Sequence, residues 1–463
     1  MVRAARLGCG FGHTVTFGNG YRHTVGHRFD GRRHAAARGR SRAAPCEAAG
    51  IMDFDPHLTT DQSPRNADAH QDTRLPHWPG GRAPTVLQVV PTLVTGGAER
   101  GCIDMALALQ AAGGAPLVAS EGGPMVRELD RARIAHLTLP LASKNPLTIR
   151  RNARRLAAII REHKVDIVHA RSRAPAWSAW LACRETGARY MTTFHAPYNF
   201  GSGPVGGRLK RWYNSVMARG ERVIAISGFI RDHVLGNYPV DPARVRVIHR
   251  GIDRSVFAPD RVSPTRLVTL AKQWNLPDDR PVILLPGRLT RWKGQIVLID
   301  ALAKLGRKDV LALLVGSDQG RTGYREELEN RIATNGLRGV VRMTDHCSDM
   351  AAAYLLSTVV VSASREPEAF GRVIVEAQAM GKPVIVSAIG AYQETVVPGE
   401  TAWVVPPDDP DALARALDEA LSLSPDQRDA IGARAMAFVA DRYTKDRMCA
   451  DTLAVYAELL QPR

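Results

Sequence analysis

The sequence predicts an α/β protein with two doubly wound parallel sheets, followed by C-terminal helices. Short apolar runs of four to six residues recur along the chain, and segments with helical periodicity separate them. Buried strands that alternate with helices are typical of a parallel sheet with helices on both faces. The pattern stops in the polar stretch Asp253–Arg280 and then begins again, which divides the chain into two Rossmann-like halves.

The first half contains six predicted strands, each an apolar run bounded by turn or helix signals. Their order is Val86–Val90, Pro116–Ser120, Val165–His169, Arg189–Phe194, Arg222–Ser227 and Val245–His249. Helical patterns such as Asn152–His163 lie between them. The turn residues Gly96 and Gly97 follow the first strand.

The second half repeats this arrangement with six further strands. They are Pro281–Pro286, Val310–Val315, Val340–Thr344, Thr358–Ser362, Pro383–Ser387 and Ala402–Val405. Three helices are predicted after them, at Asp409–Leu423, Pro425–Asp441 and Lys445–Leu460. Ligands of such sheets bind at the carboxyl ends of the strands, so a two-domain protein of this class would bind its ligand in the cleft between the domains.

These elements predict an N-terminal domain at 84–260, a C-terminal domain at 261–444 and a last helix at 445–463 that returns to the N-terminal domain. Residues 1–83 carry no such pattern. Residues 1–51 contain nine Arg, no Lys and two acidic residues, which is +7 of the +16 net charge. We interpret 1–83 as a disordered extension, or as a consequence of a start site assigned too early, with Met52 as the candidate start.

Composition narrows the class of protein. A hydrophobic content of 45% argues against global disorder, and no apolar run is long enough for a membrane-spanning helix. The six Cys are scattered, which excludes a disulfide scaffold and favours the reducing cytoplasm. The net charge of +16 leaves nucleic acid, an anionic membrane surface or an anionic substrate open, but the chain has no recognisable nucleic-acid-binding motif.

Two constellations at strand ends suit phosphate binding. Gly96 and Gly97 allow close approach to a ligand ahead of a helix N-terminus, although a Gly-Gly pair alone is more often a plain turn. Arg288 and Lys293 lie five residues apart after the first strand of the second half, where two cations can converge on a diphosphate. The alternative is a pair of solvated surface cations.

Two carboxylates and a histidine suit sugar binding. Glu368 and Glu376 are eight residues apart, about 80° around a helix, so they predict separate acceptors for hydroxyl groups and not a close acid/base pair. A helix cap and a surface glutamate are the alternatives. His195 ends a strand and can donate to a sugar or to a developing charge, whereas a structural histidine is the alternative. His169 and Arg171 share that ambiguity.

Together these constellations resemble the retaining GT-B glycosyltransferases of glycosyltransferase family 4, over about residues 85–460. The segments that carry the resemblance are Gly96–Arg100, Arg250–Asp253, Gly287–Leu289, Trp292–Gly294, Ser364–Gly371 and Glu376–Ile385. The resemblance implies the GT-B fold, with two Rossmann-like domains facing across a cleft.

The resemblance also implies roles for individual residues. Catalytic roles fall on His195 beside the donor sugar, Arg288 and Lys293 on the donor diphosphate, and Glu368 on the sugar hydroxyls. Donor-binding roles fall on Gly96, Gly97, Phe370, Gly371 and Arg372, and on Glu376 at the ribose. His169, Arg171 and Arg250 are acceptor or secondary residues. Arg250 stands where many members have Asn, and we expect this difference to bear on donor or acceptor choice.

The activity implied by the resemblance is retaining transfer of a hexose from a UDP-sugar or GDP-mannose. The acceptor would be a lipopolysaccharide, a glycolipid or another envelope polysaccharide. No cofactor or metal is expected. Asp409-Pro410-Asp411 could bind a metal, but it precedes a helix and fits a cap better. The alternatives are a sugar-nucleotide epimerase or phosphorylase of the same fold, and a non-enzymatic basic binding protein.

Basic and aromatic residues on first-half helices suggest peripheral contact with the inner face of the cytoplasmic membrane. They are Arg150, Arg151, Arg154, Arg155 and Arg161 on one helix, and Arg208, Lys210, Arg211 and Arg219 around Trp212 and Tyr213 on another. Such residues suit an anionic leaflet, and ordinary solvated helix faces are the alternative.

Overall fold

A computed structural model describes residues 77–94, 96–198, 200 and 204–462. The predictions about Met52 and about residues 1–76 of the N-terminal extension lie outside the described residues, as does Thr95 ahead of the Gly-Gly turn. The interpretation of the extension as disordered is wrong for residues 77–83, because Trp78 is buried in an apolar cluster with Val86 and Met105 and donates from Nε1 to the carbonyl of Ala112 at 3.0 Å.

The first half folds into a sheet of seven parallel strands in the order β3-β2-β1-β4-β5-β6-β7. The strands are β1 (Thr85–Val89), β2 (Ala115–Ser120), β3 (Ala135–Thr138), β4 (Ile167–Ala170), β5 (Arg189–Phe194), β6 (Arg222–Ala225) and β7 (Val245–Val247). The helices are α1 (Gly97–Ala111), α2 (Val126–Arg131), α3 (Pro146–Glu162), α4 (Arg173–Thr186), α5 (Pro204–Asn214) and α6 (Gly228–Asn237).

The second half folds into a sheet of six parallel strands in the order β10-β9-β8-β11-β12-β13. The strands are β8 (Val282–Pro286), β9 (Leu311–Val315), β10 (Val341–Thr344), β11 (Val359–Ser362), β12 (Val384–Ser387) and β13 (Ala402–Val405). The helices are α7 (Pro264–Gln273), α8 (Gln295–Leu305), α9 (Thr322–Thr334), α10 (Met350–Leu356), α11 (Arg372–Ala379), α12 (Tyr392–Thr395), α13 (Pro410–Ser422), α14 (Pro425–Arg442) and α15 (Lys445–Leu460). The predicted α/β class with two doubly wound sheets is therefore confirmed.

The order of the strands creates one crevice in each sheet. Chain order reverses between β1 and β4 in the first sheet and between β8 and β11 in the second. Because connections leave in opposite directions at such a point, the carboxyl ends of the two strands border an open crevice that binds ligands. The Gly96–Gly97 turn follows β1, and the loops that contain Arg288 and Glu368 follow β8 and β11.

Two elements differ from the sequence prediction. The edge strand β3 was not predicted, because Ala135–Thr138 is partly exposed and lacks an apolar run. The stretch Asp253–Arg280, predicted as a linker, contains α7. Ser263 accepts a hydrogen bond from the N–H of Arg266 and so caps α7, and Leu270 and Trp274 pack into the core of the second half.

The last helix packs against the first sheet. Met448, Leu453 and Tyr456 of α15 share an apolar cluster with Ile167 of β4 and Met191 of β5. Polar contacts support this position, since Glu458 accepts hydrogen bonds from Arg222 at 2.8 Å and from Arg246 at 3.0 Å. Helix α15 thus joins the end of the chain to the first half.

Candidate active site

Lys293 and Glu368 form an ion pair at the crevice of the second sheet. Lys293 lies in the short turn before α8, and Glu368 lies in the loop after β11. The two side chains are 13% and 18% exposed, and Ser364 Oγ donates to Glu368 Oε1 at 2.7 Å. The Lys293 ammonium also lies 4.3 Å from the centre of the Trp292 ring. The reversal of strand order thus brings together two residues that are distant in sequence.

Arg288 lies on the same edge but is exposed. Its guanidinium forms no ion pair with the part of the chain that the structure describes. Its backbone carbonyl accepts a hydrogen bond from Gln295 Nε2 at 2.9 Å, which ties the loop after β8 to the start of α8. The side chain of Arg288 is therefore available to a ligand.

Helix α11 begins one turn beyond Glu368. Gly371 precedes the helix with a φ of +79°, a conformation that favours glycine, and no side chain caps the first N–H groups. Phe370 is 3% exposed and packs edge-on against Tyr443, so only its backbone can face a ligand. Free N–H groups at a helix start favour an anion.

Glu376 binds different partners from Glu368. Arg372 Nη2 donates to Glu376 Oε1 at 2.6 Å, and Tyr354 donates to Glu376 Oε2 at 3.0 Å. The Glu376 side chain is only 8% exposed. The contact with Tyr354 was not predicted. It depends on the packing of α10 against the second sheet, for which the sequence offers no signal.

Gly97 lies where the two halves meet. Its carbonyl accepts a hydrogen bond from Arg250 Nη2. A Cβ at Gly97 would lie 3.6 Å from Cδ of Arg372, which belongs to the second half. The turn after β1 is thus packed between an arginine from each half.

His195 lies beside Arg250 in the first half. Its Nδ1 is 3.5 Å from Arg250 Nη1, and its buried Nε2 has no partner among the described residues. Burial, then the charges of Arg250 and Arg171, hold the pKa of His195 well below its usual range. A cavity of about 20 Å³, large enough for one water, lies against the ring. The imidazole is therefore neutral near pH 7.

His169 and Arg171 line the same small cavity as His195 and are buried. His169 is 0% exposed, and its ring nitrogens are 2.8 Å from Tyr456 Oη and 2.7 Å from Thr193 Oγ1. Arg171 is 4% exposed and donates to Gln88 Oε1 at 2.8 Å. With both ring nitrogens bonded to protein, His169 has no free group for a substrate in this conformation.

Glu394 connects the two halves, which the sequence did not predict. Its carboxylate accepts hydrogen bonds from the N–H groups of Gly228 and Phe229 at the start of α6, and it lies 2.8 Å from His249 Nε2. Burial opposes ionisation of Glu394, but the bonds from His249 and the two N–H groups outweigh it and hold its pKa below the usual range. Ser227 Oγ also donates to the carbonyl of Ala369 at 2.7 Å.

The Asp-Pro-Asp segment forms a helix cap. Asp409 accepts a hydrogen bond from the N–H of Ala412 at 2.9 Å at the start of α13, as the capping interpretation predicted. Within the described ranges, no group of three or more His, Cys, Asp or Glu side chains is arranged to hold a metal ion. In the same residues no helix is long and apolar enough to cross a membrane.

Two family models match the chain, one in each half. The model described as Glycosyltransferase Family 4 matches residues 95–256, and the model described as Glycosyl transferases group 1 matches residues 269–437. Together they cover the crevices of both sheets.

Solved structures and curated relatives agree with these matches. A glycosyltransferase from Rickettsia africae is 40% identical, with a TM-score of 0.75 over 82% of this chain and 99% of that one. Anabaena Alr3699/HepE, solved with UDP and glucose, is 23% identical, with a TM-score of 0.69 over 81% of this chain and 99% of that one, and shares the fold. A D-inositol 3-phosphate glycosyltransferase of Catenulispora acidiphila is 29% identical over 54% of this chain, and the match spans 63% of that relative. The chain belongs to the group 1 and family 4 glycosyltransferases, and its two parallel sheets form their GT-B fold.

Proposed function

We propose that this chain transfers a hexose from a nucleotide diphosphate sugar to an acceptor hydroxyl, with retention at the anomeric carbon. The observation that carries the proposal is the Lys293–Glu368 pair at the crevice of the second sheet, next to the uncapped start of α11. A sugar diphosphate has hydroxyls for the carboxylate and phosphates for the cation and the N–H groups. The pair is thus suited to bind both the sugar and the diphosphate of one donor.

The donor would lie along the second sheet. Arg288 and Lys293 would neutralise the diphosphate, Glu368 would accept hydrogen bonds from sugar hydroxyls, and Glu376 would accept them from the ribose once Arg372 turns away from it. The UDP and UDP-glucose complexes of the Anabaena protein support a nucleotide-sugar donor. UDP- and GDP-sugars are both candidates.

The chemical step exchanges one bond at the anomeric carbon. The bond from that carbon to the donor phosphate breaks, a bond to the acceptor oxygen forms on the same face, and the acceptor proton passes to the departing phosphate. Positive side chains stabilise the charge that develops on the leaving group, which is the role of Arg288 and Lys293. Neutral His195 would hydrogen-bond the donor sugar beside the reacting carbon. No metal or cofactor enters this scheme.

Binding of the donor is tested by thermal shift. At a hundredfold excess over Kd, a nucleotide that binds only the folded chain stabilises it by about 2.7 kcal/mol and raises Tm by several degrees. We expect a UDP- or GDP-sugar to do so, and Arg288→Ala to abolish most of the shift. Arg280→Ala is the matched control, because Arg280 is an exposed cation at the opposite end of β8.

Two outcomes would contradict the proposal. If no nucleotide diphosphate raises Tm, while DNA binds with a steep dependence on salt, a basic binding protein is favoured. If a donor binds but its sugar is converted without any acceptor, the activity is epimerisation.

We place the acceptor in the cell envelope, as a lipopolysaccharide, a glycolipid or another envelope saccharide reached from the cytoplasmic face of the membrane. Trp212 and Leu209 of α5 are 56% and 64% exposed, and Leu147 at the start of α3 is 76% exposed. Exposed Arg and Lys side chains surround them on both helices. Apolar side chains with a basic surround suit docking on an anionic leaflet.

Docking is tested by sedimentation with lipid vesicles. We expect the chain to bind vesicles that contain phosphatidylglycerol more tightly than neutral vesicles, and Leu209→Ala with Trp212→Ala to weaken that binding several-fold. Val268→Ala is the matched control, because Val268 is a 51% exposed apolar residue on the second half. Equal binding to both vesicle types, or no loss in the double variant, would contradict docking through this face.

A further inference from the structure

Three arginines lie close together at the junction of the two halves. Arg171 follows β4, Arg250 follows β7, and Arg372 opens α11 on the other half. Arg171 and Arg250 are each 4% exposed, whereas the Arg372 side chain is 33% exposed. Arg250 donates to the carbonyl of Gly97, and a Cβ at Gly97 would lie 3.7 Å from Nη2 of Arg250 and 3.7 Å from Nη1 of Arg372. Guanidinium groups from opposite halves thus lie close to this one residue.

The two buried arginines lack carboxylate partners. In the described part of the chain, Arg250 contacts the carbonyl of Gly97 and the ring of His195, and Arg171 donates to Gln88, all of them neutral groups. Asp104 contributes a favourable charge to Arg250, but it pairs with Arg100 at 3.0 Å. Buried charges in proteins are normally paired, so this surplus of positive charge needs an explanation.

Hydrogen-bond donors at the same place are also unused. Arg250 Nε, Arg372 Nε and Arg171 Nη2 are buried and have no partner in the described residues. Burial, then the neighbouring charges of Arg372 and Arg171, lower the pKa of Arg250 to about 9. An anion at this junction would accept these hydrogen bonds and relieve the repulsion between the cations.

We infer that Arg250 and Arg372 bind an anionic group, a phosphate or a carboxylate, carried by the acceptor, with Arg171 reinforcing the positive field behind them. This inference rests on the proposed function and names the acceptor class. The donor diphosphate has its own cations on the second half, in Arg288 and Lys293. Arg250 instead lies on the first half, 3.5 Å from His195, the residue that we propose to hydrogen-bond the donor sugar.

An anion needs a route to Arg250. The present cavity beside Arg250 and His195 measures about 20 Å³, which holds a water molecule but no phosphate. An anion therefore reaches Arg250 from the Gly97 side, where the carbonyl of Gly97 gives up its hydrogen bond. Arg372, which is 33% exposed and lies near Gly97, would then be the more accessible of the two arginines.

The test is calorimetric titration of inorganic phosphate into the full chain saturated with the nucleoside diphosphate found by thermal shift. We expect phosphate to bind the nucleotide-loaded chain, and Arg250→Asn and Arg372→Leu each to weaken it by about tenfold or more. In Arg250→Asn, affinity for the nucleotide should change less than twofold. Arg254→Asn, which removes an exposed cation from the same loop, is the matched control.

A conservative variant separates charge recognition from a structural role. Arg250→Lys keeps the charge and should retain more phosphate binding than Arg250→Asn. If Arg250→Asn fails to fold, the result for Arg372→Leu alone tests the inference, because the partly exposed side chain of Arg372 is not part of the core.

Failure of phosphate to bind the nucleotide-loaded chain would overturn the inference. An equal loss of nucleotide affinity would overturn it too, because it assigns these arginines to the donor. If no nucleotide binds the chain at all, the proposed function itself is wrong.

Discussion

Replacing Glu368 or Lys293 with alanine should lower kcat for hexose transfer by about 10²–10³-fold, the loss typical when one group that stabilises developing charge is removed. The Lys293 variant loses the proposed contact with the leaving diphosphate, and the Glu368 variant loses the proposed contact with the donor sugar. Both side chains are largely buried, so either variant also leaves the remaining charge without its partner, which destabilises the fold. Steady-state kinetics with the identified donor should therefore be accompanied by circular dichroism, which reports the folded fraction.

The control for this pair is a neighbouring, more exposed ion pair. Arg365 lies three residues before Glu368 and pairs with Asp408 at 2.8 Å, with side chains 37% and 55% exposed. Exposed pairs of this kind contribute about 0–1 kcal/mol, so Arg365→Ala should keep nearly full activity. If Glu368→Ala and Lys293→Ala both retain the activity of Arg365→Ala, our assignment of the site is wrong.

The sequence predicted the two sheets because many of their strands are buried along most of their length. A strand buried on both faces is rich in apolar residues, and β8 and β9 consist of such residues. The same reasoning fails for β3, because an edge strand needs no continuous apolar run. It fails for α7 as well, since that helix fully buries only Leu270 and its other apolar residues, such as Leu267 and Val268, are partly or largely exposed.

The site was predictable where topology alone brings residues together. Arg288, Lys293 and Glu368 all follow strands that border the crevice of the second sheet, so their proximity follows from a doubly wound order. Contacts that depend on side-chain packing were not predictable. Tyr354 contacts Glu376, and Tyr456 of the last helix contacts His169, only after separate elements have packed. The sequence therefore could not show that His169 is enclosed.

Replacing Gly294 with alanine should destabilise the fold much more than the same change at Gly306. Both glycines have a left-handed φ, +71° at Gly294 and +70° at Gly306, so each alanine costs about 1–2 kcal/mol for conformation. A Cβ at Gly306 meets no atom within 4 Å, whereas a Cβ at Gly294 would overlap the backbone carbonyl of Ala363 at the end of β11. Displacing a backbone adds about 1–3 kcal/mol or more.

Urea unfolding compares the two variants directly. We expect Gly294→Ala to lose about 2–5 kcal/mol or more of the free energy of unfolding, and Gly306→Ala about 1–2 kcal/mol, with similar m values. Gly294 follows Lys293, so a shift of this turn away from Ala363 would also separate Lys293 from Glu368 and lower activity in the molecules that still fold. Equal losses of stability would mean that the turn can leave β11 at little cost, and that close packing of Gly294 does not fix the position of Lys293.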